Sequence, residues 1–108
     1  MKTSAIDLIA QERKRQINIE GWTPPHDQDH DKGELALAAA AYALAEEIRD
    51  ETKSNRSPYW WPWEEQSWKP TPDDRIRELV KAGALIAAEI ERLTKLTPKP
   101  KLNDLPSY

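Results

Sequence analysis

Three stretches of the chain place apolar residues at the three- and four-residue spacing of an α-helix. They predict helices at about residues 4–20, 32–52 and 72–95. The clearest pattern belongs to the third stretch, with Ile76, Leu79, Val80, Gly83, Ile86, Ala87, Ile90 and Leu93. We therefore expect one all-α domain over residues 1–96, with three helices packed around a small core of Ala, Ile and Leu.

Residue types at the ends of these stretches support the three helices. They supply side chains that cap helix starts, and a glycine that ends a helix. These residues are Ser4 with Asp7, Gly21, Asp31 with Glu34, and Thr71 with Pro72. Inside the third helix, Gly83 costs stability relative to Ala, which predicts a close contact there. The charged residues of the first helix, which include Glu12, Arg13 and Arg15, predict a solvated face.

Two irregular segments separate the helices. Residues 21–31 are rich in Pro, His and Asp, and residues 53–71 hold four of the five Trp residues. So long a segment without regular structure is functional or disordered, and its aromatic density argues against disorder. We expect both segments to meet at one end of the helices. The Pro-rich residues 97–108 predict an extended tail.

Composition predicts a thin core. The 108 residues include no Phe, and Ala supplies much of the apolar content. Buried Trp rings would compensate, because each buries roughly 150–250 Å². Oligomerisation is the other common remedy, so a homo-oligomer is among the expected partners.

Charge and residue usage exclude several classes of function. The net charge of −3 argues against a general nucleic-acid binder. The absence of Cys excludes disulfides and thiolate metal sites, and fits a reducing cytoplasm. Residues 35–45 form the longest apolar stretch, which is too short to span a bilayer, and the first residues lack a signal-peptide pattern. We expect a cytoplasmic protein without a membrane partner.

The first candidate site is the acidic, His-containing turn. Imidazole and carboxylate groups at short spacing are typical ligands of a divalent metal, here His26, Asp27, His30 and Glu34. The alternative is a polar turn in which Asp31 and Glu34 only cap the second helix. The sequence requires no cofactor, and a divalent metal is the one it could accommodate.

The second candidate site is the aromatic set with its nearby polar groups. Trp stacks on flat bases and on cations, His donates hydrogen bonds, and basic side chains meet phosphates. The predicted ligand-binding residues are Trp22, His26, His30, Arg56, Trp60, Trp61, Trp63, Trp68, Lys69 and Arg75. The alternative is that the rings fill a core short of large residues.

Carboxylates on the helices raise an enzymatic alternative. The chain is similar to the all-α nucleotide pyrophosphohydrolases in being small and helical. Their two acidic pairs on neighbouring helices hold Mg²⁺, and Glu47 with Asp50 matches one pair. The third helix offers no second pair, because Arg75 and Lys81 lie three residues either side of Glu78.

Several blocks along nearly the whole chain resemble a group of small uncharacterised phage and prophage proteins. The blocks are residues 12–17, Glu20-Gly21-Trp22-Thr23-Pro24, His26-Asp27, His30, Gly33-Glu34-Leu35-Ala36, Trp61-Pro62-Trp63, Trp68-Lys69-Pro70 and residues 79–86. The resemblance implies a viral or mobile-element origin and no particular activity.

A second, smaller set of residues is similar to the repeat domain first named in ryanodine receptors. It consists of Gly21-Trp22-Thr23 after a helix, Pro58-Tyr59, and Asp74-Arg75 at the start of a later helix. That resemblance implies a helical module that binds ligands, with nucleotides among the candidates.

These features lead to three hypotheses. The first is a non-catalytic phage accessory protein that binds a nucleotide-like ligand or a host protein, as a means of countering host defence. The second is a metal-dependent nucleotide pyrophosphohydrolase. The third is a protein-interaction module without a ligand.

Overall fold

Three α-helices and one short 3₁₀ turn form the described part of the protein. The computed structural model describes residues 3–21, 31–44 and 56–96, with only the backbone at 95 and 96. The helices are α1 (Ala5–Asn18), α2 (Glu34–Ala43) and α3 (Arg75–Leu96), and the 3₁₀ turn is Glu65–Ser67. These residues include no strand, so the predicted all-α fold is confirmed. Over the same residues, no helix combines the length and apolarity needed to cross a bilayer.

Helix α3 is the central element, because both α1 and α2 pack against it. The core lies mainly between α2, α3 and the Trp-rich segment, and small side chains dominate it. Its buried members are Leu35, Ala38, Ala39, Ala41, Tyr42, Trp61, Trp68, Ala82, Leu85 and Ala88. The expected Ala and Leu are present. The expected contribution of Ile is wrong, since none of the described Ile side chains is buried in the core.

Helix α1 turns a polar side inward. Its buried residues are Glu12, Arg13 and Gln16, whereas Ile6 is 74% exposed. The prediction of a fully solvated charged face is therefore wrong for Glu12 and Arg13. Charged groups can be buried where ion pairs and hydrogen bonds replace water, and the partners of Glu12 provide both.

The start of α1 is as predicted. The Ser4 hydroxyl accepts the Asp7 backbone N–H at 3.1 Å, which satisfies one of the unpaired donors of the first turn. The helix ends at Asn18 with Ile19 as its C-cap. Gly21 takes a left-handed conformation with φ of 76°, two residues beyond that cap, so it turns the chain after the helix has already ended.

The predicted N-caps of the other two helices are wrong. Helix α2 begins after Gly33, whose φ of 82° suits glycine, and Asp31 lies outside the helix. The Glu34 carboxylate instead accepts the Lys32 N–H at 2.6 Å. At α3 the cap is Asp74, which accepts the Arg77 N–H at 3.0 Å.

Thr71 belongs to the turn that precedes α3. Its carbonyl accepts the Asp74 N–H at 2.8 Å, closing a turn with Pro72 at its second position. Pro fits that position because its ring fixes φ at the required value. Thr71 therefore closes the turn before the helix, and Asp74 caps the helix itself.

The predicted length of α2 is also wrong, because Leu44 is extended with ψ of 145°. The Arg75 guanidinium donates to the carbonyls of Tyr42 at 2.9 Å and Leu44 at 3.0 Å, and also to that of Ala43. A cation at these carbonyls satisfies acceptors left open by the last turn and opposes the helix dipole. Residues 45–52 of the predicted helix lie outside the described residues.

The close contact predicted at Gly83 is confirmed. A β-carbon placed there would lie 2.7 Å from Cδ1 of Ile9. The missing side chain therefore allows α1 to approach α3 closely at this point.

Candidate functional site

A pocket of about 120 Å³ lies where α1, α3, the end of α2 and the Trp-rich segment come together. Polar and charged side chains make up most of its lining. The lining residues are Glu12, Arg15, Gln16, Glu20, Tyr42, Ser67, Lys69, Lys81 and Leu85. The pocket thus combines side chains from four separate parts of the chain.

Helix α1 supplies one wall through residues spaced four apart. Glu12 and Gln16 are each only 2% exposed, and Glu20 follows at the same spacing beyond the helix end. Side chains four residues apart share one side of a helix, so this spacing aligns the polar groups along the pocket.

Glu12 is the centre of an ion-pair network at this wall. Its carboxylate receives Arg15 Nε at 2.8 Å, Arg77 Nη2 at 2.6 Å and Gln16 Nε2 at 3.3 Å. Burial acts to raise the pKa of Glu12, but the hydrogen bond from Arg15 and the charge of Arg77 outweigh burial, so the pKa is lowered. The carboxylate is therefore ionised and supplied with donors from several directions.

Glu20 and Lys69 form the rim of the pocket. Glu20 accepts Arg15 Nη1 at 3.0 Å and Lys69 Nζ at 3.2 Å. The hydrogen bond from Arg15 is the main reason that the pKa of Glu20 is lowered. The side chain of Lys69 is 58% exposed, so its ammonium can reach a ligand group from solvent.

Lys81 places a half-buried ammonium inside the pocket. Its Nζ donates to the backbone carbonyl of Lys69 at 2.7 Å and lies 5.5 Å from the centre of the Tyr42 ring. Burial lowers the pKa of Lys81, and the positive charge of Arg77 lowers it further. An ammonium has three N–H donors, so two remain beyond the bond to that carbonyl.

Gln16 adds a buried acceptor with no donor. Its amide nitrogen donates to Glu12, while its Oε1 is buried and accepts no hydrogen bond from the described residues. An unsatisfied buried acceptor costs about 1–3 kcal/mol. A donor supplied by a bound molecule would remove that cost.

The aromatic residues support the pocket from behind. Trp68 stacks on Tyr42 with ring centres 4.7 Å apart, and Trp61 meets both rings edge-on. Trp61 Nε1 donates to the Ser67 hydroxyl at 3.1 Å, and the Tyr42 hydroxyl accepts the Lys69 N–H at 3.0 Å. These contacts fix the side of the pocket formed by Tyr42, Ser67 and Lys69.

Trp61 and Trp68 are buried in the core, as the alternative interpretation of the aromatic set expected. A base would have to displace a core ring to stack on either of them. Trp60 and Trp63 are partly buried and pack against the same core. A ligand-binding role for these two rings stays a prediction.

The basic and His residues predicted for the site have separate locations. Lys69 lines the pocket, Arg56 is exposed, and Arg75 caps the end of α2. Trp22, His26 and His30 lie outside the described residues. The structure thus brings one predicted binding residue, Lys69, into the pocket.

The predicted metal site is described only in part. His26, Asp27 and His30 lie outside the described residues, and the Glu34 carboxylate accepts the Lys32 N–H. Within residues 3–21, 31–44 and 56–96, no group of three His, Asp or Glu side chains is placed to hold a metal ion. The metal site stays a prediction.

The carboxylates considered for Mg²⁺ have similar outcomes. Glu47 and Asp50 lie outside the described residues. On α3, Glu78 is buried and accepts the Thr71 N–H at 3.1 Å and Arg75 Nη1 at 3.2 Å. Glu78 therefore has a structural use, and the pyrophosphohydrolase alternative stays a prediction.

Sequence reasoning missed most of the pocket. Glu12, Arg15, Gln16, Glu20 and Lys81 were assigned to solvated faces or to no site. The available signal was the four-residue spacing of Glu12, Gln16 and Glu20, which a surface helix does not require.

A scan of protein-family models, a search of curated proteins and a search of solved structures each found no match to the chain.

Proposed function

We propose that the protein is a non-catalytic binding protein whose pocket holds part of a nucleotide-like small molecule. The observation that carries the proposal is the buried, donor-less Oε1 of Gln16 in a pocket that also contains the half-buried ammonium of Lys81. One group needs a donor and the other offers two. A ligand edge with an N–H beside a carbonyl oxygen satisfies both, and uracil and thymine carry such an edge at N3–H and the carbonyl oxygens beside it.

Pocket size and charge agree with this ligand class. The 120 Å³ pocket is somewhat smaller than the cavity of roughly 150 Å³ that accepts a benzene ring, so it holds at most one small ring and leaves a sugar outside. Its lining holds three cations and two carboxylates, which favours an anion. Arg15 and Lys69, which are partly exposed at the rim, would meet the phosphate of such a ligand.

The resemblance to phage and prophage proteins supplies a setting for this activity. In that setting the protein acts in the bacterial cytoplasm and sequesters a nucleotide that the host uses in defence. This use belongs to the proposal and rests on the sequence blocks together with the pocket.

Calorimetry with nucleosides, nucleoside monophosphates, ribose 5-phosphate and inorganic phosphate tests the proposal. We expect the monophosphates of uridine and thymidine to bind best, their nucleosides more weakly, and ribose 5-phosphate least, because it lacks the ring. Gln16→Leu should weaken binding about tenfold, the equivalent of one hydrogen bond. Lys81→Met should weaken it to a similar degree.

Gln11→Leu is the matched control, because Gln11 is an exposed glutamine of the same helix outside the pocket. Circular dichroism confirms that each variant is folded. The proposal fails if no nucleotide of the panel binds at millimolar concentration. It also fails if Gln16→Leu and Gln11→Leu bind equally well.

A further inference from the structure

Helix α3 carries an exposed apolar stripe on the side that faces away from its core contacts. The stripe consists of Leu79, Ile86, Ile90 and Leu93, which are 47%, 49%, 56% and 47% exposed. The buried residues Ala82, Leu85 and Ala88 of the same helix face the core. Over residues 75–94, the Ile and Leu side chains other than Leu85 are thus left at the surface.

Helix α1 widens this apolar surface. Ile9 packs over Gly83, next to the stripe, and Ile6 lies one helical turn before Ile9 and is 74% exposed. Ile76, at the start of α3, is 68% exposed as well. The exposed surface therefore extends across two neighbouring helices.

The charged groups bordering the stripe already have partners within the chain. Glu89 pairs with Arg92 at 2.6 Å, and Glu91 pairs with Arg13 at 3.1 Å. The stripe itself contains no charged residue. Covering it would therefore not strand a charge, which is the usual obstacle to burying a surface.

We infer that the stripe is the contact surface for a second copy of this chain, with the two α3 helices antiparallel. Leu79, Ile86 and Leu93 are seven residues apart, so the pattern is symmetric about Ile86. A twofold axis at Ile86 pairs Leu79 with Leu93 of the second copy, and brings the two Ile86 side chains together. Such a self-complementary patch is the requirement for a twofold dimer.

Spacing and size also fit a helix-pair interface. Intervals of seven, four and three residues are those of helices that pack with side chains in register. Residues 76–93 span roughly 26 Å at 1.5 Å per residue, and the helices α3 and α1 of one copy each give the surface about 10 Å of width. The resulting face is on the order of 500 Å² per copy, which corresponds to a weak dimer dependent on concentration.

Paired charge substitutions at Ile86 test the dimer and its axis together. Sedimentation of the full chain across a concentration series should show the wild type moving from monomer to dimer. Ile86→Glu and Ile86→Lys should each remain monomeric, because like charges meet at the axis. An equimolar mixture of the two should form a heterodimer, seen as one mixed species by native mass spectrometry.

Ile19→Lys is the control, because Ile19 is 72% exposed but lies at the end of α1 outside the stripe. It should dimerise as the wild type does. The inference is overturned if the wild type stays monomeric at millimolar concentration, or if Ile86→Glu still dimerises. A mixture that stays monomeric overturns the antiparallel axis at Ile86, and with it the inferred arrangement.

Discussion

The two sides of α3 depart from the usual placement of polar and apolar residues. The inward side carries the buried Glu78 and Arg92 and the half-buried Lys81 beside its apolar core residues, while the outward side carries the exposed apolar stripe. Ion pairs and hydrogen bonds make the first arrangement tolerable. The second is tolerable in a monomer only as an exposed patch, and becomes favourable once a second copy covers it. Polarity alone therefore does not separate inside from outside in this protein.

Glu12→Ala should have the largest effect on the monomer, because it removes the carboxylate at the centre of the buried ion-pair network between α1 and α3. It leaves Arg15, Arg77 and the Gln16 amide without their shared acceptor. Both guanidinium groups are about one third exposed, so we expect a loss of about 3 kcal/mol, at the low end for breaking a buried pair. Urea unfolding measures this change.

The matched control is Glu91→Ala, which removes a carboxylate whose side chain is 49% exposed. Its partner Arg13 is buried at 8% exposure, so this variant should lose more than the roughly 1 kcal/mol of a fully exposed ion pair but less than Glu12→Ala. Equal losses from the two variants would show that burial of Glu12 has no special weight.

Gly83→Val tests the boundary between the two sides, where α1 and α3 approach most closely. Its branched side chain would meet Ile9, since even a single β-carbon lies 2.7 Å from Cδ1 of that residue. Overpacking of this kind costs about 1–3 kcal/mol, measurable as a lower thermal midpoint. Combined with Ile9→Ala, the valine should cost less than it does alone, and strictly additive losses would contradict the contact.

The pH dependence of stability should show the smallest effect. The pKa values of Glu12 and Glu20 are lowered in the folded protein from an ordinary value of 4.5. Their contribution to the free energy of unfolding is therefore complete above about pH 4.5, and it is lost as the pH falls through the lowered pKa values of the folded protein. Unfolding free energy should be flat near neutrality and decline in acid, and Glu12→Gln should have a shallower decline than the wild type.

Local signals in the sequence were enough for the helices and for some of their ends. Ser4 caps α1 because its partner, Asp7, is three residues away. Gly83 indicates the close approach of α1, because glycine destabilises a helix unless a larger side chain does not fit at that position. The helical period of α3 was correctly recognised. It identifies an apolar side, however, and does not say whether the chain's own core or another molecule covers that side.

The pocket could not be predicted because its partners are far apart in sequence. Glu12 is buried against Arg77, 65 positions later in the chain, and no local sequence pattern predicts that ion pair. Arg75 looked available for phosphate because its target, the end of α2, depends on where that helix stops. The sequence predicts the aromatic residues as one cluster, but the division between core and pocket depends on Tyr42, which stacks on Trp68 and also lines the pocket.

The Arg75 bond to Leu44 also has a topological consequence. The stretch of chain between Leu44 and Arg75 begins and ends at neighbouring positions, because the Arg75 guanidinium donates a hydrogen bond to the Leu44 carbonyl. Lengthening a connection whose ends are fixed costs little free energy, about 0.6 kcal/mol for each doubling of its number of residues. Insertions just after Leu44 would therefore leave the junction of α2 and α3 intact, which makes that point suitable for attaching a reporter or a second domain.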